Sequence, residues 1–593
     1  MATCLAAATL LWSLTGCSAS GGFDWSMLST SPTPTPQAQA ARSDEEGLRL
    51  ALPANSGAFD PLTKGSTDMQ ELFSLVFEGL LRLGDQGQPE PWLAETMEKT
   101  QTGWTFTLRS GVEFHDGTLL SAQDVVNAFE ALKQAGESGP YAGCLQVITS
   151  MSAQDNQTLL VETPYGYEAL YSLCFPVARY PEQDGLAIGT GPYKVESYLM
   201  GVELKLVSSG NWWRKAPAIA SLQATGQQED PTVEQVQEGE LDVALVELTM
   251  ASSLYAYSRV GTQDYLTGRV ELLLPNLEGA LSDLRLRQAI AYLLDRREII
   301  TSAFQGHGVA AEVPVWPDSF LSEQVIAGEQ DLDTAAALLE QMGFEDLDGD
   351  GLVERTANYV APTPTPSPTP DPSASPEAGE AEASPTPSPS PTPTPTPSPT
   401  PEADEEEDED EGVTLEDLLG DALQQEEDSQ HLSLTLLAAS DNSAEGTDVA
   451  LCLQSQFRAA GIELEIESLP FEELLERMQA KEYDLALLGY QLGSSANLQP
   501  LLGSEGENNL MGYRSATMDA DLNALLSAES QEAYQVAAQR LYAQIQQDLP
   551  VFTLCMRCAT RVTAPDLNAS GTARLGDGYR GIENWSFGSD GQG

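Results

Sequence analysis

Residues 361–412 (APTPTPSPTPDPSASPEAGEAEASPTPSPSPTPTPTPSPTPEADEEEDEDEG) constrain this chain more than any other stretch, because they cannot fold and yet stand inside its body. Proline removes backbone donors, Ser and Thr bury no apolar surface, and the DEEEDEDE run repels itself. Between 361 and 430 there are 19 acidic residues and no basic ones. The fold must therefore be assembled from the chain on both sides. A flexible loop costs little more to close as it lengthens, so 361–430 reads as a tolerated surface insertion. A wall-spanning spacer, a glycosylated stalk and a cation-attracting brush are the functional alternatives. Residues 413–428 (VTLEDLLGDALQQEED) carry the pattern of one short amphipathic helix.

The 593 residues hold 28 Lys and Arg against 90 Asp and Glu, a net charge of −62. Such a chain does not bind nucleic acid, whose phosphates attract basic grooves. Seven cysteines are too few and too scattered for a disulfide scaffold. Cys144 and Cys174 are either a bridge or, the preferred reading, unpaired thiols. Cys555 and Cys558 lie three apart in an apolar run; on a strand they face opposite ways, which disfavours a shared metal or a redox pair. The three histidines, His115, His307 and His431, have no metal-ligand spacing. No cofactor is implied.

Residues 3–16 (TCLAAATLLWSLTG) are apolar but shorter than the roughly 20 residues that span a bilayer. The run ends in Leu14-Thr15-Gly16-Cys17, which resembles the lipobox of bacterial lipoprotein signal peptides. That resemblance makes 1–16 a signal peptide and Cys17 a lipidated N-terminus, although no Lys or Arg precedes the apolar run. Residues 17–45 are then a small-residue, Pro-containing tether that holds the folded part roughly 30 Å from its anchor. The expected location is the cell membrane, lipid-anchored on the extracytoplasmic face.

Without the insertion, short apolar strands alternate with amphipathic helices, an α/β pattern. LRLALPA (48–54) reads as a first buried strand followed by the loop NSGAFDPL. MQELFSLVFEGLLRL reads as a helix and WTFTLRSGVEF as a β-hairpin. Ser121, three residues before Asp124, signals the start of the helix SAQDVVNAFEALKQA. DLRLRQAIAYLLDRREII (283–300) reads as one helix with Leu286, Ile290, Leu293 and Leu294 on its buried face. Asp283, Arg287, Asp295 and Arg296 are structural charges around it.

Glu78-Gly79-Leu80, Leu93-Ala94-Glu95, Trp104, Phe114-His115-Asp116-Gly117 and Asp124-Val125-Val126 occur in an order that resembles bacterial solute-binding protein family 5. GTGPYKVESY (189–198), EGELDVALV (238–246), LDTAAALLEQMGF (332–344), LPVFTLCMR and GIENWSF continue the resemblance over 47–360 and 431–587. It implies a two-lobe α/β fold of the periplasmic-binding-protein type II, with an extra subdomain in the first lobe and two hinge strands. Lobe I is expected at 46–272 and 550–593, its subdomain Ib near 66–184, and lobe II at 273–549. The implied function is substrate binding for an ABC transporter, for peptide uptake. The implied partners are a small solute, the transporter's membrane subunits and the membrane through the lipid anchor, with the protein itself a monomer. A pheromone sensor or a receptor for a non-peptide solute is the alternative on the same fold. G-x-S-x-G, H-E-x-x-H and a P-loop are absent, which argues against an enzyme.

The resemblance nominates two ligand segments: Asn55, Ser56 and Gly57 after the first strand, and Tyr490, Gln491, Leu492, Gly493 and Ser494 after YDLALLGY. Peptide-binding members carry an aspartate where Gly493 stands, and it holds the peptide's ammonium. Either another acid takes that role here or the ligand is not a free-amino peptide. The expectation drawn from Gly493 is that an N-acetylated peptide binds at least comparably. Tyr490 reads equally as a hinge-packing aromatic. Asp346, Asp348 and Asp350 open like a calcium loop, but Ala357 stands where a bidentate Glu is needed, so a helix-to-strand turn is the plainer reading. Gly576-x-Gly578-x-x-Gly581 matches a dinucleotide fingerprint in spelling only, with no room for a βαβ unit behind it.

Overall fold

The computed structural model describes residues 43–63, 67–136, 139–181, 185–247, 260–317, 319–322, 327–356, 431–440 and 444–588. The leader, Cys17, most of the tether and the 361–430 insertion lie outside them. Among the described residues no helix is long and apolar enough to cross a membrane.

The first strand, Leu48–Leu52, buries alternate residues and pairs in parallel with Ser221–Gly226, whose other edge continues antiparallel into Glu203–Ser208 and Tyr193–Leu199. Its core gathers Leu50, Phe73, Tyr193, Val243, Val562 and Trp585. The described residues begin at 43, inside the stretch expected as a tether. Asp44–Glu46 forms a 3-10 turn, and Asp44 Oδ1 accepts from Phe587 N at 2.7 Å, docking the start of the chain on its end.

A second sheet, Ala94–Lys99, Gly103–Leu108, Thr158–Glu162 and Ser150–Ala153, is antiparallel throughout and packs on helix Ala122–Ala135. That helix opens with a capping box, in which Asp124 Oδ2 accepts from Ser121 N at 2.9 Å. The expected hairpin in WTFTLRSGVEF does not form. Both edges of Gly103–Leu108 are occupied by other strands, and Phe114–Thr118 closes a turn instead. His115 belongs to that turn, its ring nitrogen 3.0 Å from Gly191 O.

The helix read across MQELFSLVFEGLLRL ends at Phe73. Beyond it, Leu75 and Val76 give their carbonyls to Tyr193 N and Gly191 N, and Glu78–Gly79 pairs with Pro176–Val177. A Cβ on Gly79 would lie 2.6 Å from Leu81 O and 2.8 Å from Cys174 O, so the pairing admits no side chain there. Tertiary pairing here overrides a helical periodicity. Glu78 is fully enclosed: Trp92 Nε1 (2.8 Å), Trp212 Nε1 (3.1 Å), Trp213 Nε1 (3.1 Å) and Thr190 Oγ1 (2.7 Å) all donate to its carboxylate. Burial raises its pKa and these neutral donors oppose the rise. The Glu-Gly-Leu and Gly-Thr-Gly-Pro motifs thus meet in one structural knot.

The third sheet has seven strands and holds the second lobe. Ser433–Ala439 pairs in parallel with Glu463–Leu469 and Leu485–Gln491, and the latter runs antiparallel to Gly261–Pro275. Next come Phe552–Thr563 and, at the edges of that strand, Val243–Val246 and Gly308–Ala310. The expected helix over 283–300 is two helices, Leu284–Leu293 and Arg296–Ala303. Asp295 breaks it by accepting from Arg297 N and Glu298 N as an N-cap. Asp283 caps the first helix, Arg287 donates to the Asp548 and Leu281 carbonyls, and Arg296 to those of Ala311 and Thr553.

Gly261–Pro275 and Phe552–Thr563 cross between the lobes. Val562 sits in the first lobe's core, whereas Leu273, Phe552 and Leu554 sit in the second. A lobe boundary drawn at residue 272 therefore falls inside a strand. The glycines of the C-terminal G-x-G turn serve the fold: Gly576 N and Gly578 N both donate to the buried Glu71 carboxylate.

Candidate functional site

The crossing strands lose register between Leu266 and Val270. At this bulge Gly268 has φ 73°, and a Cβ there would lie 2.8 Å from the Trp316 ring and 2.7 Å from Gln491 Nε2. Only glycine lets the strand bend here with an indole against its backbone. Thr267 Oγ1 donates to Arg557 O at 3.0 Å and accepts from Arg269 N at 3.2 Å, which satisfies the interrupted ladder.

Two cavities meet at this bulge, and Tyr265 and Leu575 line both. The first, about 480 Å3, is an aromatic chamber bounded by Tyr171, Tyr265, Trp316 and the loop Leu492–Ala496. Trp316 Nε1 donates to Gly493 O at 2.8 Å, and a Cβ on Gly493 would meet nothing within 4 Å. The position of the missing aspartate is therefore open space. Asp264, from the crossing strand, brings a carboxylate into the same chamber. It accepts from Thr560 Oγ1 at 2.6 Å and pairs with His307 Nδ1 at 2.9 Å, leaving acceptor capacity on both oxygens.

The second cavity, about 860 Å3, is more polar than the first. Asn55, Glu71, Glu247, Arg269, Glu445 and Arg557 are on its walls. Arg557 Nη2 pairs with Glu247 at 2.9 Å, while its Nη1 lies 3.7 Å from Glu271 and Arg269 Nε lies 3.8 Å from the same carboxylate. Burial raises the Glu271 pKa against the pull of those two guanidinium groups. The cluster joins the two crossing strands, so the hinge itself is charged and hydrogen-bonded.

The nominated residues divide. Leu492, Gly493 and Ser494 wall the aromatic chamber, and Asn55 and Gln491 wall the polar one. Gln491 Nε2 also donates to Thr267 O at 3.1 Å. Ser56 and Gly57 line neither chamber: Ser56 Oγ accepts from Gly201 N (2.9 Å) and Gly57 O from Tyr198 OH (2.5 Å), which ties the loop to a neighbouring hairpin. Tyr490 walls neither chamber; it sits opposite Val270, half-buried against the core. Sequence reading missed Asp264, Tyr265 and Trp316, which no motif marks. The one available signal was Trp316 itself, an aromatic beside Pro317 in an irregular stretch.

Asp346, Asp348 and Asp350 form a turn in the second lobe whose carboxylates bind its own backbone. Asp346 accepts from Gly349 N and Gly351 N, Asp348 from Asp350 N, and Asp350 from Leu352 N. Glu354, buried and bonded to His431 Nδ1 at 2.9 Å, brings its carboxylate within 4.8 Å of those of Asp346 and Asp348. The turn joins helix Leu332–Gln341 to Glu354–Arg355 and lines neither chamber. The five described cysteines are free thiols; Cys555 is buried and Cys558 reaches the aromatic chamber.

Two lobes, joined by strands that bulge at the floor of a two-chambered cleft and by a buried seam where the subdomain around Phe106 and Tyr167 packs on Leu525 and Tyr534, define a bilobal binding protein. Residues 88–381 match the model of the bacterial extracellular solute-binding proteins, family 5, which are binding proteins rather than enzymes. It is 19% identical to the oligopeptide-binding protein AppA of Bacillus subtilis over 82% of this chain and 81% of that one. It is 25% identical to the nickel-binding periplasmic protein of Escherichia coli over 51% of this chain and 62% of that one. A solved nickel ABC transporter structure from Bacillus halodurans shares the fold, with TM-score 0.69 and 18% identity over 91% of this chain and 100% of that one.

Proposed function

We propose that this protein is the extracytoplasmic substrate-binding component of an ABC importer, that its solute is a peptide, and that Cys17 carries its lipid anchor. The observation that carries the peptide reading is the pairing of chambers. Among the described residues the aromatic pocket holds one carboxylate, Asp264, and one guanidinium, Arg574, and it adjoins a second pocket that also carries both charge signs. A short peptide offers what both need: an apolar side chain and an ammonium for the first, amide and charged groups for the second. The oligopeptide-binding relative supports the same reading. Closure of the lobes about the bulge at Gly268 would enclose the solute. The test is a calorimetric titration with defined peptides of two to nine residues. Binding by at least one length class is expected; heat from none of them, with a nickel chelate or another solute binding instead, would overturn the peptide assignment.

A further inference from the structure

The subdomain built on Ala94–Lys99 and its neighbours reaches across to the second lobe beside the aromatic chamber. Gly166 N donates to Leu526 O at 2.8 Å and Tyr167 N to Ala528 O at 2.6 Å. The 3-10 helix Tyr167–Leu173 then lies against helix Gln531–Asp548, with the Tyr167 and Tyr534 rings 5.3 Å apart and those of Tyr171 and Tyr534 6.0 Å apart. Glu168 sits between them, 6% exposed. Tyr534 OH donates to Glu168 Oε2 at 2.5 Å and accepts from Ala496 N at 2.9 Å, and the Ser495 side chain also bonds the Glu168 carboxylate.

Ser495 and Ala496 end the loop that walls the aromatic chamber, and Tyr171, on the same 3-10 helix as Glu168, forms another wall. A buried carboxylate without partners is strongly unfavourable. Both side-chain partners of Glu168 come from the other side of this packed seam, so the carboxylate is satisfied inside the protein only while the 3-10 helix stays seated on helix Gln531–Asp548. We infer that Glu168 is a positioning residue for the solute cleft: it fixes the Ser495–Ala496 end of the loop and makes the loop's order depend on the contact between the 3-10 helix and helix Gln531–Asp548. The inference rests on the reading of Leu492–Ala496 as a wall that faces the solute.

The experiment is amide hydrogen exchange read by mass spectrometry on the full chain without added solute, comparing wild type with Glu168→Ala, Glu168→Gln and Tyr534→Phe. In Glu168→Ala, peptides covering 493–497 and 166–172 should exchange at least tenfold faster, while strand 485–491 stays near wild type. Glu168→Gln should restore slow exchange, because its amide can still accept from Tyr534 and bond Ser495; a role in bulk stability alone would not produce that local pattern and rescue. Unchanged exchange at 493–497, or equal acceleration in strand 485–491, would overturn the inference. If Glu168→Ala does not accumulate, Tyr534→Phe must give the same local acceleration, and its absence overturns the inference equally. No solute enters the assay, so a failure to bind peptide would count against the proposed function and leave this result standing.

Discussion

Asp264→Asn removes the one carboxylate among the described walls of the aromatic chamber and leaves the Arg574 guanidinium in place. The substitution keeps the side chain's size and an oxygen for the Thr560 hydroxyl, 2.6 Å away, but removes the negative charge and places an amide beside His307 Nδ1 or Thr560. The Asp264 side chain is 42% exposed, so an ammonium bound to it is partly screened. A hydrogen bond to a charged group contributes about 1.5–3 kcal/mol; screening favours the lower half, about 1.5–2 kcal/mol or roughly 10- to 30-fold in affinity. The assay is calorimetry on matched free-amino and N-acetylated peptides against both proteins. Wild type should prefer the free-amino peptide by roughly that factor, and Asp264→Asn should bind the two alike. This reverses what Gly493 alone suggested, because the chamber holds a carboxylate from a distant strand. If wild type binds both peptides equally, or if the preference survives in Asp264→Asn, Asp264 does not recognise the ammonium.

Other outcomes can be checked independently. Glu78→Ala leaves three indole N–H groups and a threonine hydroxyl without their acceptor; at about 1–3 kcal/mol for a buried unsatisfied group, partly relaxed, urea unfolding should show a loss of about 3–6 kcal/mol. The folded pKa of Glu78 is raised above its ordinary 4.5, so its contribution is full below 4.5 and is lost as pH rises through the raised value. The stability deficit of Glu78→Gln against wild type should accordingly shrink as pH is raised from 4.5, and a constant deficit would contradict the assignment. Deleting 361–412 should change stability by less than about 1–2 kcal/mol, since that is already a large fraction of a domain's margin. Cys17→Ala should release the protein into the medium or leave its precursor uncleaved; unchanged processing and membrane retention would refute lipidation.

What could be read from the sequence was local. The strand at Leu48–Leu52, the capping box at Ser121 and Asp124, and the buried face of Leu286, Ile290 and Leu293 follow from short-range pattern. Where the pattern misled, a distant partner decided the outcome: Leu75 and Val76 are held by Gly191 and Tyr193, and Gly103–Leu108 has both edges filled. The cleft was only half legible for the same reason. Leu492–Ser494 carried a family pattern, but Trp316 meets Gly493 across 177 positions and Tyr534 meets Glu168 across 366. Asp264 looks like any charged residue at the edge of a strand until the bulge at Gly268 turns that strand into the cleft floor.

The central claim is that this protein closes its two lobes on a peptide. Its most direct test is native mass spectrometry of the full chain purified without denaturation from the organism that makes it, followed by acid release and sequencing of what was bound. One peptide per chain is expected, retained in wild type and depleted when Trp316→Ala opens the aromatic chamber. A protein that carries no peptide when purified, or one whose bound peptide is undiminished by Trp316→Ala, would contradict it.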